Sequence, residues 1–460
     1  MDGDLLMTGI SRRYLLSAGL SIAGASVIKT HPTRAEPPVR TVFENVAIFD
    51  GVSASLKRGL SVVVQDGVIV DVAAGISASD PTTVKIDCGG RTLMPGLIDA
   101  HWHTMLAPVT IPDVLTADEG YLTLLAADEA NRTLMRGFTS VRDMAGASFS
   151  LKKAIDSGMN AGPRIWPSGA IISQSGGHGD FRLPYELPRR PGSWSRVEEI
   201  GAGVIADGAD EVLKRTREQL ALGASQIKLA AGGGIVSHYD PIDTNQYTER
   251  ELQAAVEAAD NWGTYVAVHA YMPRSIQTAL KAGVRCIEHG HLMDEATAEM
   301  IAERGAWLST QPFIDEGHGT FPEGTPNRLK ELQVTHGTDT IYGLARKLNL
   351  KVAWGTDILF NPPSTKQQGH LLAAMKRWYR PAEILIMATS NNAELLAMSG
   401  SRNPYPGKLG IIAKGALADI LVVDGNPLEN IDLVADPEHK FSIIMKNGII
   451  HKNTLGSGAG

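Results

Sequence analysis

Cysteine is scarce in this chain, with only Cys88 and Cys286 among 460 residues. The two cysteines lie in separate apolar stretches, so the sequence implies no disulfide framework. Neither has a second cysteine at the spacing of a cysteine metal site. The chemistry of the protein is therefore to be sought in its other side chains.

Positive charge is also in short supply, because 43 lysines and arginines face 50 aspartates and glutamates, for a net charge of −7. Residues 1–35 hold four basic and two acidic residues, so without them the net charge falls from −7 to −9. A surplus of negative charge argues against nucleic acid or an anionic membrane surface as a partner.

The chain begins with an apolar run that is too short for a permanent membrane-spanning helix, which needs about 20 residues. In "SRRYLLSAGLSIAGASVI", Arg12 and Arg13 precede this run, and Ala35 follows as a cleavage point. The pattern resembles a twin-arginine export signal. We therefore expect residues 1–35 to be a signal peptide and the mature protein to be periplasmic or secreted. A disordered or loosely anchored tail is the alternative.

Glycine is abundant, with 48 residues, and its placement predicts the fold. From about residue 95 to 400, helical stretches end at a glycine and a short apolar strand follows at once. Glycine suits the left-handed conformation that ends a helix. The five glycines are Gly137, Gly223, Gly263, Gly283 and Gly305.

Three further strands, "LIDAHWH", "RIWPSGAII" and "KVAWGTD", bring the predicted strands of this region to eight. Eight strands that alternate with helices predict an α/β fold of the (β/α)8 TIM-barrel type over residues 95–400. A doubly wound sheet is the rival architecture. The absence of a glycine-rich nucleotide-binding turn after the first strand favours the barrel.

The flanks of this region differ from it. Residues 41–94 and 405–455 contain short apolar strands joined by turns such as Asp-Gly and Asn-Gly. We predict that both ends of the chain combine into one small β-sandwich beside the barrel.

The first barrel strand ends in "LIDAHWHT", where one residue separates His101 from His103. Alternate residues of a strand point the same way, so the two imidazoles face one point. Neutral imidazoles that converge suit a metal ion. Thirteen histidines in 460 residues also produce such a pair by chance, so this fragment alone leaves both readings open.

Four other strand ends carry polar side chains at the place where barrels keep their chemistry. Each has a structural explanation when taken singly, such as a paired buried lysine, a core histidine or a helix-capping aspartate. Their coincidence at one barrel mouth favours a metal site instead. The predicted ligands are His101, His103, Lys228, His269, His289 and Asp357.

These residues, with "PGLIDAHWH", "IEHG", "GTD" and the closing "GKLGIIAKGALADILVVDGNPL", resemble the amidohydrolase superfamily of binuclear metal type. The resemblance covers the chain from about residue 41 to its end. It implies that His101, His103 and Asp357 hold the more buried metal ion. The same resemblance assigns His269 and His289 to the second ion.

Lys228 would bridge the two ions after carboxylation by carbon dioxide, as the resemblance implies. A free lysine is cationic, with an unperturbed pKa of about 10.4, and would repel the ions. A carbamate is anionic and offers two oxygens. Zinc suits this ligand set, while manganese and iron remain open.

The implied reaction is hydrolysis of a C–N bond, most simply an amide, by a metal-bridging hydroxide. Asp357 would take a proton from water and pass it to the leaving nitrogen. The chain is similar to the imidazolonepropionase-like branch, which includes Xaa-Pro dipeptidases and related carboxypeptidases. Its markers are "SGGHGD" with His178 and "GGGIVSHYDP" with Tyr239. Both side chains would contact the substrate carbonyl or carboxylate, with solvated loop residues as the alternative.

The expected substrate is a small peptide or N-acyl amino acid, and the branch is similar also to enzymes that cleave ochratoxin-type aromatic amides. Three arginines of one loop, Arg182, Arg189 and Arg190, are candidates for a substrate carboxylate, with a wet surface as the alternative. Arg142 is either a further candidate or half of a structural ion pair. Other readings are a non-catalytic metal- or ligand-binding protein and a lactone or phosphotriester hydrolase. The sequence leaves homo-oligomerisation open.

Overall fold

The computed structural model describes residues 40–76, 83–190, 192–315 and 320–455. The predicted signal peptide, residues 1–35, lies outside the described residues. Contacts divide the chain after Pro37, and every described residue belongs to the unit that follows. Within the described ranges, no helix has the length and apolarity that a membrane crossing requires.

The strands alternate with helices through the middle of the chain and cluster at its two ends. In the first half they are β1 Arg40–Ile48, β2 Lys57–Gln65, β3 Val68–Ala73, β4 Thr83–Asp87, β5 Thr92–Pro95, β6 Leu97–Trp102, β7 Phe138–Asp143, β8 Arg164–Pro167, β9 Ile171–Ser173 and β10 Gly203–Ile205. The later strands are β11 Ile227–Ala230, β12 Val266–Ala270, β13 Cys286–His289, β14 Trp307–Thr310, β15 Lys351–Trp354, β16 Ile420–Val423, β17 Phe441–Lys446 and β18 Ile449–Asn453.

The α-helices lie mainly between the strands of the middle region. The first seven are α1 Ile111–Thr116, α2 Glu119–Met135, α3 Phe149–Asp156, α4 Arg196–Glu199, α5 Ala209–Leu222, α6 Glu249–Asn261 and α7 Pro273–Lys281. The others are α8 Glu295–Arg304, α9 Pro326–Thr335, α10 Thr338–Lys347, α11 Gln368–Ala374, α12 Pro381–Ile386, α13 Asn392–Ala397 and α14 Pro437–Lys440. Short 3-10 turns cover Pro184–Glu186, Pro362–Gln367, Met375–Arg377, Gly400–Arg402 and Ile431–Ala435, and a π-helical turn covers Met387–Asn391.

A parallel barrel forms the centre of the molecule, as predicted. Strands β6, β7 and β8 pair in one parallel run, and β9, β11, β12, β13, β14 and β15 pair in another. Asn392 joins the last strand to the first, because its amide donates to Ile98 O at 2.7 Å and to Trp354 O at 2.8 Å. The carboxyl ends of all these strands therefore meet at one rim.

The third barrel strand differs from the continuous strand predicted for "RIWPSGAII". It is split into β8 and β9, with Gly169 between them in the left-handed region at φ 73°. A Cβ at this glycine would lie 2.3 Å from Gln219 Oε1, so the close approach of that side chain requires glycine. The additional strand β10, which the sequence did not reveal, pairs with β9.

The helices end where the glycine pattern predicts. All five glycines named from the sequence have positive φ values, between 61° and 107°. Helix α6 begins with a capping box between Thr248 and Glu251, and it buries Leu252, Ala255 and Ala259 against the barrel core. The three- and four-residue spacing of these apolar residues is therefore the core-facing stripe of an amphipathic helix.

The two ends of the chain build one small β-domain, as predicted. Its strands follow the order β18-β17-β16-β5-β1-β2-β3, and β4 pairs with β1. The domain has its own apolar core, in which Phe43 and Ile48 from β1 meet Val422 from β16 and Ile443 from β17. The antiparallel pairing of β5 with β16, which includes Thr92 opposite Val423, joins the two ends directly. The limits 41–94, 95–400 and 405–455 stay a prediction.

Candidate active site

The two histidines that end β6 converge, with Asp357, on one point at the barrel mouth. His101 and His103 are 1% and 4% exposed, and their ring centroids are 5.3 Å apart. Asp357 Oδ1 lies 3.2 Å from His101 Nε2 and 3.0 Å from His103 Nε2. One donor atom from each of the three residues falls within 4.8 Å of the others. The alternation of side chains along a strand thus produces the expected cluster.

Buried polar contacts fix the backbone around this cluster. Asp99, two residues before His101, accepts hydrogen bonds from the backbone N–H of His101 at 3.0 Å and of Thr356 at 3.1 Å. This one carboxylate therefore ties the end of β6 to the loop after β15. Asp357 and His289 have φ values of 57° and 76°, in the left-handed region that non-glycine residues rarely adopt. Backbone strain of this kind clusters at functional sites.

The neighbouring strands add the other predicted ligands. His269 is the next-to-last residue of β12 and His289 is the last residue of β13, and their ring centroids are 4.5 Å apart. The His289 ring lies 5.0 Å from that of His101. Lys228 on β11 is 2% exposed, and burial lowers its pKa to about 8. Within the described part of the chain, no hydrogen bond or ion pair joins the side-chain ammonium of Lys228 to another residue.

The chemistry of these donors fits divalent cations. Burial lowers the pKa of His103 to about 4 and the pKa of His269 well below its usual value, so both imidazoles are neutral at pH 7. Neutral imidazole nitrogens and a carboxylate are the ligands that zinc prefers. His103 Nδ1 is buried without a hydrogen-bond partner, so its ring is not fully satisfied by protein groups alone. A buried lysine without a protein partner matches the predicted bridging position.

Sequence reasoning missed a carboxylate below the cluster. Glu288 is fully buried, and its Oε2 lies 2.7 Å from His101 Nδ1. Arg142, also fully buried, donates to both Glu288 carboxylate oxygens at 2.8 Å. Arg142 is therefore half of a structural ion pair rather than a substrate contact, which decides between the two predicted roles. The sequence feature that could have indicated Glu288 is its position one residue before the predicted ligand His289 in "CIEHG".

The two loop residues predicted to contact substrate have different positions. His178 lines the cavity at the barrel mouth, where its Nδ1 lies 2.8 Å from Ser237 Oγ. A Cβ on Gly234 would lie 1.8 Å from that nitrogen, so the loop needs glycine to admit the ring. Tyr239 does not line the cavity, and its hydroxyl donates to Arg182 O at 2.7 Å.

Tyr271 lines the cavity, although the sequence analysis did not select it. Its ring centroid lies 4.8 Å from that of His269 and 5.2 Å from that of His289. The available signal was its position two residues after His269 in "VHAYMP", because alternate residues share a face.

The three loop arginines proposed for a substrate carboxylate do not line the cavity. Arg182 donates to both Asp180 carboxylate oxygens at 2.8 and 2.6 Å. Arg189 lies 3.0 Å from Glu198, and Arg190 is exposed. The alternative of a wet surface thus describes Arg190, whereas Arg182 is buried in an ion pair within the loop.

The cavity that opens over the cluster has a volume of about 590 Å³ and walls that are largely apolar. Arg328 lies in the cavity wall, where carboxylates of Asp315, Glu323 and Glu331 hold it at 2.8 to 3.0 Å. Aromatic rings contribute much of the remaining wall, from Phe181, Phe313, Phe321 and Phe360. Volume, apolar walls and convergent polar groups together are typical of a small-molecule site.

Comparison with known proteins finds a matching family and a related enzyme. Residues 92–453 match the Amidohydrolase family. Ochratoxinase from Aspergillus niger is 31% identical over 424 residues, which cover 86% of this chain and 83% of that enzyme.

Two solved structures resemble the whole molecule. A prolidase complexed with N-methylphosphonate-L-proline has a TM-score of 0.82 at 34% identity, and the match covers 90% of this chain and all of that one. A Xaa-Pro dipeptidase with methionine bound in its active site has a TM-score of 0.77 at 29% identity, over 90% of this chain and all of that one.

Proposed function

Because the chain belongs to the amidohydrolase family and is a homologue of ochratoxinase, we propose that it cleaves the amide bond of a dipeptide or N-acyl amino acid in a metal-dependent reaction. The family makes the chain a hydrolase, while the substrate and the metal chemistry are the proposal. The observation that carries it is the convergence of two strand-end histidines and Asp357, with donor atoms within 4.8 Å, at the floor of an apolar cavity.

In this proposal the cluster holds two divalent cations, with zinc preferred. His101, His103 and Asp357 would hold one ion, and His269 and His289 would hold the other. Lys228, once carboxylated by carbon dioxide, would supply an anionic carbamate as a further ligand. When bound, the ions polarise the substrate carbonyl and lower the pKa of water toward about 7.

The protein's own groups would perform the proton transfers. The Asp357 carboxylate would accept a proton from the attacking water and return it to the leaving nitrogen. His178 faces the cavity, and an Nε2–H on its ring would donate to the developing charge on the carbonyl oxygen. The largely apolar walls would lower the local dielectric and so strengthen these interactions.

The cavity walls favour a second candidate, an ochratoxin-type amide in which an aromatic acid is joined to phenylalanine. Rings of Phe181 and Phe360 pack edge to face with centroids 5.7 Å apart on the cavity wall. Such a wall offers apolar area and preferred aromatic geometries to a large planar acyl group. A cavity of about 590 Å³ is roomy for a dipeptide of small residues.

One experiment tests the proposal and ranks the two substrates. The protein is stripped with a chelator, reloaded with zinc and assayed on Gly-Pro, an Xaa-Arg dipeptide, N-acetylphenylalanine and an N-aroylphenylalanine, with bound metal measured by mass spectrometry. We expect no turnover without metal and restored turnover with about two ions bound per chain. Greater kcat/KM for the N-aroyl substrate would favour the second candidate.

Rival functions predict different outcomes of the same experiment. A non-catalytic binding protein would take up zinc and cleave none of the amides. A lactone or phosphotriester hydrolase would cleave those bonds and leave all four amides intact. Turnover of an amide by the chelator-treated, metal-free protein would contradict the metal-dependent mechanism.

A further inference from the structure

A buried ion pair lies in the barrel interior beneath the metal-binding cluster. Arg142 on β7 and Glu288 on β13 are both fully buried and joined by two hydrogen bonds of 2.8 Å. Neither residue lines the cavity, so neither can touch the substrate. Burial of two charges costs desolvation energy, and loss of either partner would leave the other charge buried and uncompensated. The presence of this ion pair in the barrel interior therefore needs a structural or functional explanation.

Glu288 also contacts a predicted ligand. Its Oε2 lies 2.7 Å from His101 Nδ1, while the opposite ring nitrogen, Nε2, lies 3.2 Å from Asp357 Oδ1. A carboxylate only accepts hydrogen bonds, so the proton between Glu288 and His101 sits on Nδ1. The opposite nitrogen, Nε2, faces the cluster and is the one that can offer a lone pair to a cation.

We propose that Glu288, held by Arg142, is a positioning residue that fixes the ring orientation and tautomer of His101 for cation binding at Nε2. This inference rests on the proposed function, because it assumes that the cluster binds divalent cations. The carboxylate acts through His101 and takes no part in the reaction with substrate. Partners of this kind orient metal ligands and raise their basicity.

Arg142 holds Glu288 in place through contacts that span the barrel. Its Nε donates to Ala100 O, beside His101, at 2.5 Å. Its other nitrogens lie 3.2 Å from Tyr265 Oη and 3.0 Å from Ser309 Oγ. These partners belong to separate barrel segments, so Arg142 is fixed from several sides. Its position in turn fixes the carboxylate of Glu288. A satisfied network of this kind restricts the carboxylate to one position.

The substitution Glu288→Gln tests the proposal. Glutamine keeps the size of the side chain, but its amide can rotate to donate toward His101, which favours the wrong tautomer. We expect zinc affinity, measured by competition with a chromophoric chelator, to fall about 10- to 100-fold. Circular dichroism and thermal melting identify the folded fraction on which affinity is measured. Folded E288Q with zinc affinity within twofold of the wild type would overturn the proposal.

The chain offers a matched control in another buried ion pair. Arg164 lies 3.1 Å from Asp419, and both are nearly inaccessible, at the opposite end of β8 from the cavity. We expect Asp419→Asn to lower the melting temperature and to leave zinc affinity unchanged. Loss of affinity in D419N equal to that in E288Q would show that general destabilisation explains both, and would overturn the positioning role.

Two further measurements keep the proposal testable if E288Q does not fold. The double variant Arg142→Met, Glu288→Gln removes the unpaired buried cation, and we expect it to fold and to bind zinc about 10- to 100-fold more weakly than the wild type. In the metal-free wild type, long-range proton–nitrogen NMR correlations of His101 should place the proton on Nδ1. A ring without a proton on Nδ1, or wild-type affinity in the double variant, would overturn the proposal.

The outcomes separate this inference from the proposed function. A wild-type protein that binds no divalent cation would refute the metal-dependent function, while the tautomer of His101 would still be tested by NMR. A wild-type protein that binds zinc tightly and shares that affinity with E288Q would refute only the role of Glu288.

Discussion

The imidazole ring of His178 stacks on that of His269, with centroids 3.9 Å apart and planes inclined by 19°. The two residues come from different loops and strands, 91 positions apart in the chain. The contact places the predicted carbonyl-contacting histidine directly against a predicted metal ligand. Burial lowers the pKa of His178, so its ring is neutral and one nitrogen carries a proton that can be donated.

We expect His178→Phe to keep the stacked ring and to lose the hydrogen-bond donor. Loss of one donor to a developing oxyanion costs about 100- to 1000-fold in kcat, so kcat should fall while KM changes little. Steady-state kinetics on the best amide substrate provide the measurement. His238→Phe, on an exposed residue of the neighbouring loop, is the matched control and should retain wild-type kcat. An unchanged kcat in H178F would remove His178 from the reaction.

Asp357→Asn should separate metal binding from proton transfer. Asparagine tolerates the left-handed backbone that Asp357 adopts, so the loop should keep its course. We expect the variant to retain part of its metal and to lose about 100- to 10,000-fold in kcat, because the proton acceptor is gone. Metal content and turnover are measured on the same sample.

Asp66 provides the control for this substitution, because it is exposed and has a similar φ of 52°. Asp66→Asn should leave both metal content and kcat at wild-type values. Full activity in D357N would contradict the assignment of Asp357 as the proton acceptor.

Lys228→Met should remove the bridge between the two ions. We expect metal content to fall from about two ions per chain to one or fewer, and the carbamate carbon signal obtained with 13C-bicarbonate to disappear. Lys446→Met is a matched control, since burial also lowers the pKa of Lys446 to about 8 and this lysine lies in the β-domain. A carbamate signal of equal strength in K228M would assign that group to another residue.

Stability in acid should depend on Asp50, just after β1. Burial raises its pKa, but hydrogen bonds from Lys57 and from two backbone N–H groups outweigh burial and lower the pKa to about 2. The folded-state pKa is thus below the unfolded value near 3.8, so the stabilisation is present above about pH 4 and is lost as the pH falls toward 2.

We expect Asp50→Asn to lower the free energy of unfolding of the metal-free protein by about 1 kcal/mol at pH 6, a figure reduced for partial exposure of the pair. Urea midpoints of both proteins at pH 6 and pH 3 measure the effect, and the difference between them should shrink at the lower pH. An equal difference at both pH values would contradict the assignment.

Much of the barrel follows from local sequence. Glycines such as Gly223 and Gly305 end helices because only glycine adopts positive φ without strain, and that rule acts within a few residues. His101 and His103 share a face because side chains alternate along any strand. The clustering of strand ends then follows from the parallel arrangement, which brings every carboxyl end to one rim.

The tertiary structure decided what depends on contacts between distant segments. The roles of Arg142 and Glu288 emerge only when β7 and β13 meet inside the barrel, 146 residues apart in the chain. Tyr239 and Tyr271 both lie close in sequence to predicted site residues. The hydroxyl of Tyr239 donates to Arg182 O outside the cavity lining, whereas Tyr271, just after β12, lines the cavity. The sequence by itself determined which groups gather at the barrel mouth, because strand and helix periodicity are local. Only the tertiary structure decided which residues hold these groups in place and which residues face the cavity. Those contacts join segments that are far apart in the sequence, so no local pattern reveals them.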